Sequence, residues 1–207
     1  YLNSLVQALF HSRPFRQLVY AWCYDESVHG AAEACIPLQL QRLFARLQLS
    51  KRAATSTKAL TRSFGWTAAD SFQQHDAQEL LHLLVDALDS TADGDERRAK
   101  QDAARAEPAL SPLRLACDAL RGKVLDRLQC CVCGHSRSRE DPYLDVELEV
   151  SGSGTAEAAV RRFHGAELLT GGDQWHCDSC GKRRDAVKSM TLSAAPPVLM
   201  LHLKRFG

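Results

Sequence analysis

FGWTAADSFQQHDAQELLHLLVDALD, running from Phe64 to Asp89, decides how the rest of the chain is read. Its second half carries Ala77, Leu80, Leu81, Leu84, Val85 and Leu88 at three- and four-residue spacing, one apolar stripe of an amphipathic helix. Thr67 with Asp70, and Ser71 with Gln74, fit the spacing of a capping box. Ahead of the stripe lies a dense polar block, Gln73, Gln74, His75 and Asp76, followed by Gln78 and Glu79. On physics alone these are a solvated first turn, with Asp76 and Glu79 placed at the positive end of the helix dipole.

Before this stretch the chain reads as helical. Leu2, Leu5, Leu9 and Phe10 form one stripe with Ser4 and Gln7 as a capping box, and Pro14 ends it. Phe15, Leu18, Val19 and Trp22 form a second stripe, Asp25 to Cys35 a loop, and Pro37 opens a third helix with Leu40, Leu43, Phe44 and Leu47. Lys51 to Thr61 is a polar connection. After the stretch, Ser90 to Pro112 is charged and poor in large apolar residues, as in a mobile insertion or a solvated helix.

The period then changes to two. Leu144, Val146, Leu148 and Val150 alternate with Asp145, Glu147 and Glu149, as in a strand with one buried face. SGSG (Ser151 to Gly154) turns the chain, and Ala159, Val160 and Phe163 suggest a short helix. Lys188 to Leu192 alternates weakly, and Val198 to Leu203 is a near-continuous apolar run typical of a central strand. A helical half followed by a β half gives the α+β class.

Two CxxC pairs stand in the β half, Cys130/Cys133 and Cys177/Cys180, each followed by a glycine. A CxxC turn lets two thiolates converge on one ion, and two such turns make a closed tetrahedral zinc site with no open position for a catalytic water. Such a zinc ion is structural. A redox CxxC would need one pair at a helix start in a βαβ setting. A zinc ribbon that binds nucleic acid is the rival reading, but it calls for a basic patch, and Asp178 and the acidic strand flank this site. Cys131 reads as a bystander, with a ligand swap for Cys130 the alternative at poorer spacing; His135 and His176 are read as surface residues, since four thiolates suffice.

Composition narrows the class. The 207 residues hold 26 basic and 25 acidic side chains, a net charge of +1, so no long-range field draws the chain to nucleic acid or an anionic membrane. No apolar run reaches the ~18 residues a membrane span requires. Eight cysteines in a chain of this length fit reduced thiols in the cytosol or nucleus better than a secreted disulfide scaffold.

Four phrases, in order, carry a family resemblance. QQHDAQELL resembles the QHD box of the ubiquitin-specific proteases, and YLNSLVQALF is similar to the part of their Cys box, G-x-T-C-Y-x-N-S-x-x-Q, that lies after the nucleophile. PPVLMLHLKRF is similar to the family strand ending in L-K-R-F, and the CxxC pairs match the family's zinc site. The resemblance covers Tyr1 to Gly207 and implies a papain-like fold, incomplete here. Its parts are a helical thumb over 1–89, a polar linker over 90–115, zinc-ribbon β fingers over 116–197 and the first palm strand over 198–207. It further implies that Gln74, Asp76, Gln78 and Glu79 contact the extended C-terminal tail of ubiquitin, with Tyr1 and Asn3 on the channel floor. The acidic strand at Asp145 to Glu149 fits a platform for ubiquitin's globular body.

In the family pattern the nucleophilic Cys would stand immediately before Tyr1 and the His box beyond Gly207. The expectation is therefore a deubiquitinase fragment, inactive alone, acting on ubiquitin and ubiquitinated proteins when whole. A ubiquitin-binding pseudoenzyme is the alternative; Cys before Tyr1 favours the enzyme, Ser or Ala the scaffold.

Overall fold

Pro14 and Pro37 stand where a proline costs a helix nothing. In the computed structural model, which describes residues 2–66, 76–102, 110–151 and 154–204, helix α1 (Leu2–His11) stops before α2 (Arg13–Ala21), and Pro14 occupies the first turn of α2. A single helical turn, α3 (Glu26–His29), interrupts the loop expected after it, and Pro37 sits in the first turn of α4 (Ile36–Leu49). Helix α1 is already under way at Leu2, so Ser4 lies inside it and not at its cap. The polar connection ends in a further helix, α5 (Lys58–Ser63), anchored by the buried Leu60.

The described residues divide into two compact units, Tyr1–Ala119 and Leu120–Gly207. In the first, Leu5, Val6 and Leu9 of α1, Phe15 and Val19 of α2, and Leu40, Leu43 and Phe44 of α4 are buried. Phe44 meets Phe10 and Phe15 edge-on, with ring centroids 5.6 and 6.4 Å apart. Gln41 of α4 donates to the carbonyls of Val19 (3.0 Å) and Trp22 (2.8 Å), satisfying backbone groups that the end of α2 leaves open.

The apolar stripe read from the sequence forms the buried face of α6 (Ala77–Asp102): Leu80, Leu81, Leu84, Val85 and Leu88 are all buried. The helix does not stop at Asp89. Its polar second half, a linker on composition, continues to Asp102 because its acids have partners far away in the chain. Asp95 accepts from Trp22 Nε1 at 2.9 Å and lies 2.8 Å from His29 Nε2. His29 Nδ1 accepts the Asp25 N–H at 2.9 Å, so Nε2 carries the proton toward Asp95. Arg114 of α7 (Pro112–Asp118) reaches Asp89 at 2.6 Å, Asp93, and Glu96 at 3.6 Å. Helix α7 packs against α2 and α6 and belongs to the first unit.

The second unit is built on strands. β1 (Gly122–Cys130) pairs antiparallel with β2 (Ser136–Tyr143), neither evident in the sequence, because β2 is polar on both faces and exposed along most of its length. The alternating segment is β3 (Asp145–Glu149), followed by α8 (Ala156–Phe163), whose Thr155 cap accepts from Ala158 N at 3.2 Å. Then come β4 (Glu167–Leu169), β5 (Trp175–Cys177), β6 (Lys182–Arg184), β7 (Ala186–Ala194) and β8 (Met200–Lys204). One antiparallel sheet runs β2-β1-β7-β4; β3 pairs parallel with β8, and β5 pairs antiparallel with β6.

Val146 and Leu148 of β3 pack with Ala159 of α8, joined by Tyr143, Phe163, Leu192 and Leu203. The run at 198–203, expected to be central, is covered only in part: Leu203 joins this cluster, whereas Leu201 is 40% exposed. Among the described residues β8 has β3 as its one strand partner.

Register places Gly122 opposite Tyr143, and the tyrosine ring occupies the space a Cβ at Gly122 would fill. Gly122→Ala should therefore push Tyr143 off the α8–β3 cluster and cost about 1–3 kcal/mol, the range for overpacking. Denaturant unfolding checks this, and the cost should shrink in a Tyr143→Ala background, where the ring is already absent.

Candidate functional site

Cys130 ends β1, and the turn after it is closed by two backbone bonds, Cys130 N–H to His135 O at 2.9 Å and Gly134 N–H to Cys130 O at 3.0 Å. Gly134 has φ 71°, left-handed backbone that the turn needs and that only glycine adopts cheaply. The second turn repeats this between β5 and β6: Gly181 N–H bonds Cys177 O at 2.9 Å, and Gly181 has φ 65°. The two turns are held together by Cys131 N–H to Asp185 O at 2.9 Å, and the Asp185 carboxylate takes the Gln174 amide at 2.7 Å. The rings of His135 and Trp175 lie parallel, 6.1 Å between centroids.

This packing brings the sulfurs of Cys130, Cys133, Cys177 and Cys180 to within 4.8 Å of one another, with Cys133 Sγ and Cys177 Sγ 3.6 Å apart. Tetrahedral zinc–thiolate geometry with bonds of ~2.3 Å sets sulfurs ~3.8 Å apart, so these residues fit such an ion. Cys130 and Cys177 are buried, Cys180 is half-buried and Cys133 exposed. The Cys133 thiol is pulled down to about 6, first by a hydrogen bond from the His135 backbone and then by the Cys180 thiol. Cys180 is pushed up to about 12, chiefly because it holds the proton of that shared bond. Burial pushes Cys177 up as well. Without a cation the cluster therefore settles the Cys133 thiolate well and resists ionisation of Cys177 and Cys180; a divalent ion reverses that preference. Cys131, His135 and His176 are exposed and outside the cluster.

The second sequence-marked region is the start of α6. Asp76 precedes Ala77 and its Oδ1 accepts the Gln78 N–H at 2.9 Å, so it caps the helix. Asp76 and Glu79 are exposed and Gln78 is half-buried. Asn3 is exposed in the first turn of α1, a helix that contacts α6. Tyr1 and Gln74, together with the paired capping boxes at Thr67 to Gln74, lie outside the described residues.

The family model for ubiquitin carboxyl-terminal hydrolases matches residues 1–207. The chain belongs to the ubiquitin carboxyl-terminal hydrolase family. It is 39% identical over 212 residues to ubiquitin carboxyl-terminal hydrolase 47 of Drosophila melanogaster and equally so to its namesake in Homo sapiens, matches that cover all of this chain. It is 34% identical over 206 residues to ubiquitin C-terminal hydrolase 12 of Arabidopsis thaliana, again along its full length. The chain spans 12%, 14% and 17% of those three proteins respectively. Family membership does not favour the nucleic-acid ribbon as a reading of the cysteines, and no described helix is long and apolar enough to cross a membrane.

For this family member, sequence reasoning located the cysteine cluster through spacing alone. It missed the capping role of Asp76, whose signal was an acid directly before the first residue of the apolar stripe. It also missed the Trp22–Asp95–His29 group, which no local pattern could reveal. If the cluster holds zinc, native mass spectrometry should find one ion per chain. Cys177→Ser, like chelation, should remove it and loosen the β5–β6 hairpin while the helical unit keeps its circular dichroism. Cys131→Ser should retain the metal.

Proposed function

We propose that the chain is the ubiquitin-holding part of a deubiquitinase catalytic domain, with a helical thumb, zinc-stapled β fingers and the first palm strand. The observation that carries this reading is the family match along the whole of residues 1–207. The whole enzyme hydrolyses the peptide or isopeptide bond after the C-terminal glycine of ubiquitin. A cysteine thiolate attacks the glycine carbonyl, the amine leaves with a proton from histidine, and water releases the thioester. In the family's motif register the nucleophile precedes Tyr1 and the histidine comes after Gly207. Residues 1–207 alone are therefore expected to leave a ubiquitin C-terminal amide uncut; turnover by them that a thiol reagent blocks would overturn this assignment.

Within the fragment, Asp76, Gln78 and Glu79, with Gln74, Tyr1 and Asn3, contact the extended ubiquitin tail. An extended tail offers backbone N–H groups and cationic side chains, which carboxylates and amides can meet. Cys130, Cys133, Cys177 and Cys180 hold a structural Zn²⁺ that fixes the fingers and takes no part in bond cleavage. Glu147 of the acidic strand is 2.5 Å from Lys204 Nζ, and this carboxylate holds the lysine above the usual ammonium range. That contact orders the strand offered to ubiquitin's body. We place the enzyme in the cytosol or nucleus, where four thiols remain reduced for the metal.

Asp76→Asn tests the tail assignment without disturbing the helix, since asparagine caps about as well as aspartate. Loss of the charge at the helix start alone should cost roughly 0.3–1 kcal/mol of stability. If the carboxylate meets the tail in a buried, charge-assisted contact, affinity of the whole enzyme for ubiquitin should fall by about 2–5 kcal/mol. That loss should vanish for ubiquitin lacking its C-terminal residues. Equal losses for both ligands would return Asp76 to a purely structural cap.

A further inference from the structure

Away from the cysteine cluster and the start of α6, the helical unit contains a cavity of about 350 Å³ between α3, the beginning of α4 and the second half of α6. Its walls are mostly apolar and small: Val28, Ala34, Ile36, Pro37, Ala87 and Gly94. That volume is at the small end of the ~300–1,000 Å³ typical of small-molecule sites.

Gly94 is the telling residue. A glycine inside a helix costs roughly 0.5–1 kcal/mol relative to alanine, and close packing is the usual structural excuse for it. Here a Cβ would meet nothing within 4 Å. No neighbour requires the glycine; the space it leaves is the cavity itself.

The charges at the cavity differ in how far they are satisfied. Asp95 is committed to Trp22 Nε1, His29 Nε2 and, at 3.5 Å, Ser111 Oγ. His29 has both ring nitrogens engaged, so it is a fixed wall and not a base. Arg98 is exposed at the cavity and forms no ion pair among the described residues. The acid that feels its charge, Asp25, directs an oxygen to Ser27 N at 2.9 Å and to Ser27 Oγ at 2.7 Å. The cavity thus combines an apolar floor, the Asp95 carboxylate held by neutral donors, and one guanidinium outside any ion pair among the described residues, the donor best shaped for a carboxylate.

We propose that this cavity binds a small carboxylate with a compact branched apolar body, the apolar part against Ile36, Pro37 and Gly94 and the carboxylate on Arg98. The site is separate from the ubiquitin-holding residues proposed above and does not depend on that assignment. The probes are N-acetyl-L-leucine and its uncharged counterpart N-acetyl-L-leucinamide, titrated into the 207-residue chain and followed by amide NMR shifts. The acid should saturate shifts at Ile36, Thr91 and Gly94 and bind at least fivefold tighter than the amide. Arg98→Gln should erase that preference while leaving the amide's affinity unchanged. Gly94→Leu, which improves helix propensity and fills the space, should abolish binding of both probes without lowering the unfolding midpoint. Equal binding of acid and amide to the wild type, or binding that survives Gly94→Leu in a folded protein, would overturn the assignment.

Discussion

Four sulfurs held within 4.8 Å of one another are the constraint on which the strand-built unit depends. The hairpin of β5 and β6 has only three residues in each strand, far too few to be stable alone. It is held by backbone bonds at Cys131 and Asp185, by the Gln174–Asp185 contact and by the stacked Trp175. None of these offsets the cost of ionising the raised thiols of Cys177 and Cys180; a cation does. The metal would therefore act on the fold twice, by stabilising the thiolates and by joining a hairpin to the end of β1.

The helical unit answers to a different constraint, the burial of one face of α6. Its apolar stripe was legible because Leu80, Leu81, Leu84, Val85 and Leu88 repeat at the helical period. Its second half was not, since composition cannot distinguish a solvated acid from one with a distant partner. Asp95 waits for Trp22 and His29, more than sixty positions away, and Asp89 and Glu96 wait for Arg114. Each contact converts a residue typical of a linker into one that continues the helix.

The β half repeats the lesson with the sign changed. β3 could be read because one of its faces is buried, and alternation comes from that burial. β2 could not, because SRSREDPY is an edge strand that commits its backbone ladder to β1 and buries little besides Tyr143 at its end. Its charges and Pro142 are what an exposed edge uses to discourage further pairing. The two cysteine turns were legible for a third reason. Metal-ligand spacing is local within each pair, and the glycine after each pair marks the positive φ that closes the turn.

Position and chemistry are separated along α6. The buried stripe fixes where the helix lies, and Asp76 fixes where it begins by capping Gln78. Exposed groups at such a start inherit the rigidity of the core behind them, which a loop could not supply. A residue there can serve the backbone and a ligand together, because a carboxylate has two oxygens and about four lone-pair positions. This is why the sequence alone left two readings of the acids open: dipole partner and ligand contact require the same residue at the same place. The structure adds a third duty, capping, and so identifies asparagine as the substitution that keeps the cap while removing the charge.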